Sequence, residues 1–186
     1  GNNTQDARSN FGLRLFDKGG HHIEGNFIGV DRTGASALRN RYAGIWFENS
    51  SNNEVRNNVI AGNGDLVDTN QDMNGITIGV GSNQIGIYGN YIGTDNTGTQ
   101  AIPNALHGIW FFGNDITIGT SNEADRNIIS GNKGDGINGA WQYGNSNISV
   151  ENNHIGVSKT GLQALGNHGH GLSIVNDRNL TVKNNI

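Results

Sequence analysis

Asn26-Phe27-Ile28-Gly29-Val30-Asp31-Arg32-Thr33-Gly34 returns as Asn90-Tyr91-Ile92-Gly93-Thr94-Asp95-Asn96-Thr97-Gly98, and again as Asn153-His154-Ile155-Gly156-Val157-Ser158-Lys159-Thr160-Gly161. The copies continue alike, into Ala37-Leu38 and Asn40, Ala101-Ile102 and Asn104, and Ala164-Leu165 and Asn167. Their first asparagines stand 64 and 63 residues apart. Self-similarity at a fixed long period marks a chain built by stacking one structural unit on the next.

Working outward from these blocks, a strand of one form follows each starting Asn by 18 residues: Gly44-Ile45-Trp46-Phe47, Gly108-Ile109-Trp110-Phe111 and Gly171-Leu172-Ser173-Ile174. Gly12-Leu13-Arg14-Leu15, Gly75-Ile76-Thr77-Ile78 and Gly136-Ile137-Asn138-Gly139 lie between them, so the strand occurs six times at intervals of 28 to 35 residues. A second apolar segment follows a short polar turn, as in Asn53 to Ile60, Ile148 to Ile155 and Leu180 to Ile186. Alternation with period two and no helical spacing predicts strands throughout and no helix.

Like strands one turn apart stack in parallel about 4.8 Å from each other, with alternate side chains entering a shared core. The expected fold is all-β, a right-handed parallel β-helix solenoid of about six coils, each of roughly 32 residues. Ile45, Phe47, Ile76, Ile78, Ile109, Phe111, Leu172 and Ile174 are assigned inside, and Trp46, Glu48, Thr77, Trp110, Phe112 and Ser173 outside. Asn26, Asn58, Asn90, Asn127, Asn153 and Asn185 align at the bend after the second strand. There they predict an Asn ladder, in which stacked amides bond to each other and to the backbone.

Composition agrees. Of 186 residues only 33% are apolar, while Gly numbers 30 and Asn 31, residues that tolerate left-handed backbone and make frequent turns. The net charge of -4 and the lack of any basic run argue against nucleic acid as a partner. No apolar stretch is long enough to insert in a membrane. Without Cys, neither disulfides nor thiolate metal sites arise, and cysteine does not decide the compartment. We read residues 1–186 as a single β-helix domain, a piece of a longer repeat protein whose open sheet edges allow end-to-end self-association.

The pattern N-x-I-G-x-D-x-T-G-x-x-A-x-x-N, followed by G-I-x-I and N-x-I-x-G-N, resembles the right-handed parallel β-helix repeat of large bacterial secreted and surface proteins in the pectate-lyase-like superfamily. The resemblance covers nearly the whole chain. It implies the fold and an extracellular or cell-surface location in a bacterium. Function follows less closely, because that superfamily includes lyases, hydrolases, epimerases, tailspikes and adhesins. The carboxylate clusters with an Arg or Lys base typical of its lyases, and the D-P-H motif of its epimerases, are not found here.

The outward column of the first strand holds the leading candidate site. Trp46 and Trp110 are equivalent positions two turns apart, about 10 Å by strand spacing. Phe112 and Phe16 extend the face, and Glu48 and Arg14 lie beside it. Indoles so placed can stack on sugar rings while neighbouring polar groups meet hydroxyls, so polysaccharide or a cell-surface glycan is the expected partner. In the competing reading the long turns fold over this face and bury both indoles.

Asp31 and Asp95, with Ser158 in the third copy, invite a Ca2+ reading of the inserted loop, but one carboxylate per loop is too few and D-x-T-G is already an Asx-turn signature. No cofactor is expected. Among the histidines, His107 and His170 are equivalent and His154 matches Phe27 and Tyr91, which makes all three products of repetition, while His21, His22 and His168 stay unassigned. The second strand supplies an outward series of Glu24, Arg56, Tyr88, Asp125, Glu151 and Lys183. Asp125 and Glu151 on consecutive turns, with Lys183 nearby, form the catalytic alternative, a glycoside hydrolase or polysaccharide lyase. The bland reading is a solvated ladder of weak pairs, Glu24 with Arg56 and Glu151 with Lys183. The regular repeat favours a non-catalytic structural or adhesive surface element that contacts polysaccharide. A spacer or filament subunit without ligand is the third reading.

Overall fold

The computed structural model describes residues 10–65, 72–140 and 144–186, so the insertion from Gly64 to Asn74 lies partly outside the described residues. The first turn lays down β1 (Leu13–Phe16), β2 (His22–Glu24) and β3 (Phe27–Ile28), and the second β4 (Ile45–Glu48), β5 (Asn53–Arg56) and β6 (Val59–Ile60). The third gives β7 (Ile76–Ile78), β8 (Ile85–Tyr88) and β9 (Tyr91–Ile92), and the fourth β10 (Ile109–Phe111), β11 (Asn114–Ile118) and β12 (Ile128–Ile129). The fifth adds β13 (Ile137–Gly139), β14 (Ser146–Glu151) and β15 (His154–Ile155), and a sixth contributes β16 (Leu172–Ile174) and β17 (Arg178–Lys183). Corresponding strands pair in parallel into sheets of six, six and five strands, which is a parallel β-helix.

The period-two pattern sets the faces. Ile45, Phe47, Ile76, Ile78, Ile109 and Phe111 are fully buried, as expected, whereas Leu172 and Ile174 in the sixth turn are only partly covered. Trp46, Glu48, Trp110, Phe112 and Ser173 point outward and keep part of their surface. Thr77 departs from expectation. It points outward yet is 1% exposed, because it lies in register between Trp46 and Trp110 and receives a 3.0 Å hydrogen bond from Asn74 Nδ2.

Three further differences have local causes. The segment read as one second strand is two, because a residue of positive φ turns the chain between them: Gly25, Asn57, Gly89 and Asn152, with φ of 70°, 56°, 66° and 61°. Asn and Gly are the residues for which that conformation costs least. The expectation of no helix is corrected by one 3-10 turn, Glu123–Asp125, in an insertion between β11 and β12. The long loops of turns one, three and five touch past the shorter turns between them, through Asn96 N to Gly34 O at 3.1 Å and Lys159 N to Gly98 O at 2.8 Å. Contact between alternate loops accounts for a repeat of two turns rather than one.

The predicted ladder is complete from Asn26 to Asn185. Each Nδ2 donates to the next Oδ1, at 3.0 Å for Asn26 to Asn58, 3.0 Å for Asn58 to Asn90 and 3.0 Å for Asn90 to Asn127. The column continues at 2.8 Å to Asn153 and 3.0 Å to Asn185. The Oδ1 of Asn58 also accepts from the backbone N–H of Asn26 and its Nδ2 also donates to Ile23 O, so this buried amide is fully bonded. Leu would orphan those backbone groups at about 1–3 kcal/mol each. A second ladder, Asn40-Asn63-Asn104-Asn132-Asn167, runs up another corner with bonds of 2.8, 2.9, 2.9 and 2.9 Å.

Candidate functional site

The first sheet aligns Arg14, Trp46, Thr77, Trp110, Asn138 and Ser173 in one outward column. Both predicted indoles are therefore on the same face, two strand spacings apart. Their surroundings differ. The Trp46 ring packs against Phe11, with centroids 4.4 Å apart, and under the Arg14 guanidinium at 5.0 Å. Its Nε1 edge leans over Gly79, where a Cβ would sit 3.1 Å away. Trp110 has the smaller side chains of Thr77 and Asn138 as its register neighbours. Thr77 is covered by its register neighbours, and both indoles, which the competing reading would bury, remain partly exposed.

Arg14 is also bound to Glu48 at 2.6 Å and lies 5.4 Å from the ring of Phe16, which is 51% exposed. The Arg14–Glu48 pair joins the first and second turns across the face. Phe112 anchors its strand end through its N–H to Ile78 O at 2.7 Å and keeps part of its ring surface. Burial, with repulsion from Glu48, holds the Asp72 carboxyl above its ordinary value.

A polar network beside Trp110 was missed by sequence reasoning. Asn138, its register neighbour, donates to Asp135 Oδ2 at 2.6 Å. Asp135 Oδ1 accepts from the backbone N–H of His170 at 2.6 Å, and the Asp135 N–H donates to His107 Nδ1 at 2.9 Å. That last bond leaves the His107 proton on Nε2. Burial lowers the His107 pKa, against the pull of Asp135, so the ring is neutral near pH 7. The signal available in the sequence is the repeated position of His107 and His170 just before the first strand, which by itself shows only repetition.

The second sheet distributes the catalytic alternative differently from expectation. Glu151 and Lys183 are in register, with Lys183 Nζ 3.1 Å from Glu151 Oε1. Asp125 is not on the strand column. Ile118 pairs with Ile87, so Gly119 occupies the place opposite Tyr88, and Asp125 sits on the inserted 3-10 turn. From there its carboxylate reaches Arg56 Nη1 at 2.6 Å and Thr120 Oγ1 at 2.6 Å. Burial pushes the Asp125 pKa up, but the bonds from Thr120 and Arg56 outweigh it and the group lies below its ordinary value. Arg56 also takes Glu54 at 2.6 Å and stacks 4.8 Å over Tyr88, so Glu24, expected to pair with Arg56, instead accepts from Asn57 at 3.2 Å. Asp125 and Glu151 are thus engaged with different cations.

In the inserted loops the carboxylates serve their own turns. Asp31 Oδ1 accepts from Thr33 N–H, Thr33 Oγ1 and Ala35 N–H, and Asp95 from Thr97, Thr99 and Gln100. Ser158 Oγ lies 3.0 Å from Thr160 Oγ1. Among the described residues no three His, Asp or Glu side chains converge, and no helix is long and apolar enough to cross a membrane. His154 stacks in register with Ile128, itself paired with Tyr91, as its repeat position predicts, and His22 lies 4.0 Å from Glu54. No family model matches this chain, and searches of curated proteins and of solved structures return no match, so the fold and these side chains carry the functional reading.

Proposed function

We propose that this chain is a non-catalytic, extracellular β-helix segment of the bacterial surface type in the pectate-lyase-like superfamily, a rigid element that contacts polysaccharide along its first sheet. The observation that carries the reading is the placement of Trp110, a partly exposed indole between small neighbours, beside the Asn138, Asp135 and His107 network and two strand spacings from Trp46. An aromatic platform next to fixed amide, carboxylate and imidazole groups suits a sugar ring, whose apolar face stacks while its hydroxyls bond at the edge. Strands held by two Asn ladders keep such a platform at a fixed spacing. The non-catalytic part is supported by the carboxylates of the catalytic alternative, Asp125 and Glu151, being bound to Arg56 and Lys183.

A glycan array probed with the native chain and with Trp110→Ala tests the proposal. Trp46 is the poorer choice because its ring also holds Phe11 and Arg14 in place. Binding that weakens about tenfold or more in a folded Trp110→Ala variant supports the reading, since one stacked aromatic is worth about 0.5–1.5 kcal/mol beyond its buried area. Binding that is unaltered in the variant removes Trp110 as the contact and overturns the first-sheet reading, and binding absent from both proteins sends the reading to a spacer without ligand.

A further inference from the structure

A second surface feature lies away from the aromatic face. The insertion of turn four, which ends in Arg126, and the long loop of turn five, which carries Lys159, form two walls of a cleft of about 370 Å³. Tyr91 and Ile128, paired neighbours in the third sheet, line it as well, with Asn57 and Glu123. Lys159 Nζ stands 5.4 Å from the Tyr91 ring centroid and pairs with no carboxylate among the described residues. Arg126 binds the backbone O and Oδ1 of Asn152 at 3.1 and 2.7 Å through Nε and Nη2. Among the described residues its one carboxylate contact is Glu123, at 3.5 Å, whose side chain is 85% exposed. Two cations with little neutralisation thus share one concave site in a chain of net charge -4. The field of Arg126 is felt nearby, where, after burial, it lowers the pKa of His154.

We propose that this cleft binds an oxyanion group, a carboxylate, sulfate or phosphate, carried on a ligand of monosaccharide size. Arg126 and Lys159 supply charge-assisted donors, the Asn57 amide a neutral one, and the Tyr91 ring a face for the ligand's apolar side. Asn152 holds the Arg126 guanidinium in position before the ligand arrives, which lowers the ordering cost of binding. The site does not use the first sheet, so it stands or falls independently of the polysaccharide-contacting face.

Calorimetric titration of the native chain with glucuronate, glucose 6-sulfate, glucose 6-phosphate and neutral glucose tests this at low ionic strength. We expect at least one of the anionic hexoses to bind and glucose not to, with affinity falling as salt is added. Which anion binds tells the three sources apart. Lys159 is exposed, so Lys159→Gln and Lys159→Glu leave the fold in place, and each should weaken binding about tenfold or more. Lys133→Gln, which removes an exposed cation outside the cleft, should leave binding unchanged. Equal binding of glucose and the anions, binding of none of the four, or full affinity in Lys159→Glu would overturn the proposal.

Discussion

His107 accepts the Asp135 N–H on Nδ1 and can do so only while that nitrogen is unprotonated. Its pKa in the folded chain lies below the ordinary 6.5, because burial outweighs the attraction of Asp135, and the pKa of His154 is lowered as well, by burial and by Arg126. Between the folded values and 6.5 the unfolded chain binds more protons than the folded one. The contribution of these rings to stability is therefore complete above the unfolded pKa and is lost as the pH falls through the folded ones. The lowered carboxylates, Asp31, Asp95 and Asp125, act at more acid pH, below their ordinary 3.8. The unfolding temperature should therefore drop on going from pH about 7.5 to about 5.5, well before these lowered carboxylates titrate. His107→Asn keeps an acceptor for the Asp135 N–H without a titrating ring and should flatten part of that drop. Thermal unfolding of both proteins across this range checks the assignment, and parallel curves would refute it.

The first-sheet strands show why one position in a repeat breaks the pattern. The inward column Leu15, Phe47, Ile78, Phe111, Gly139 and Ile174 is apolar and large except at Gly139. A Cβ there would come within 3.0 Å of Phe111 Cζ, so the ring of the fourth turn fills the space that the fifth turn leaves open. Gly139→Ile would match the repeat and raise strand propensity, yet it should destabilise by about 1–3 kcal/mol through overpacking. Adding Phe111→Leu should recover part of the loss, so that denaturant unfolding gives a double variant more stable than the two single changes sum to. A stabilised Gly139→Ile would show the space to be empty. Much of this architecture was legible in the sequence, since period-two alternation and aligned asparagines specify strand faces and register directly. The missing parts depend on local geometry that periodicity does not encode. Asn57 looks like any strand residue until its left-handed φ splits β5 from β6, and Asp125 seems aligned until the insertion before Asn127 lifts it off the strand. The Trp110 indole is visible as a surface candidate, but Asn138, held by Asp135, comes beside it only by stacking of turns. The pairing of Arg126 with Lys159 in one cleft likewise leaves no motif.

As a whole, the molecule is a one-dimensional stack in which each turn contacts the turns above and below it, and its stability should divide into turn and interface contributions. The ladder from Asn26 to Asn185 makes that division measurable, because the same chemistry is repeated at every interface. In Asn90→Ala, the backbone N–H and one Nδ2 hydrogen of Asn58 lose their acceptor in a buried site, a cost of about 3 kcal/mol. Asn58→Ala removes the other partner of the same interface, so the two changes share a lesion and their combined cost should fall well short of the sum. Asn153 lies three rungs from Asn58, about 14 Å by strand spacing, and shares no hydrogen bond with it. Asn58→Ala with Asn153→Ala should therefore add to within about 0.5 kcal/mol. Denaturant unfolding of the three single and two double variants decides the matter. If the distant pair couples as strongly as the adjacent one, strain travels along the ladder and the turns are not independent units. If only the adjacent pair couples, each interface is a local contact, and the aromatic face on the first sheet is held by the few turns beneath it.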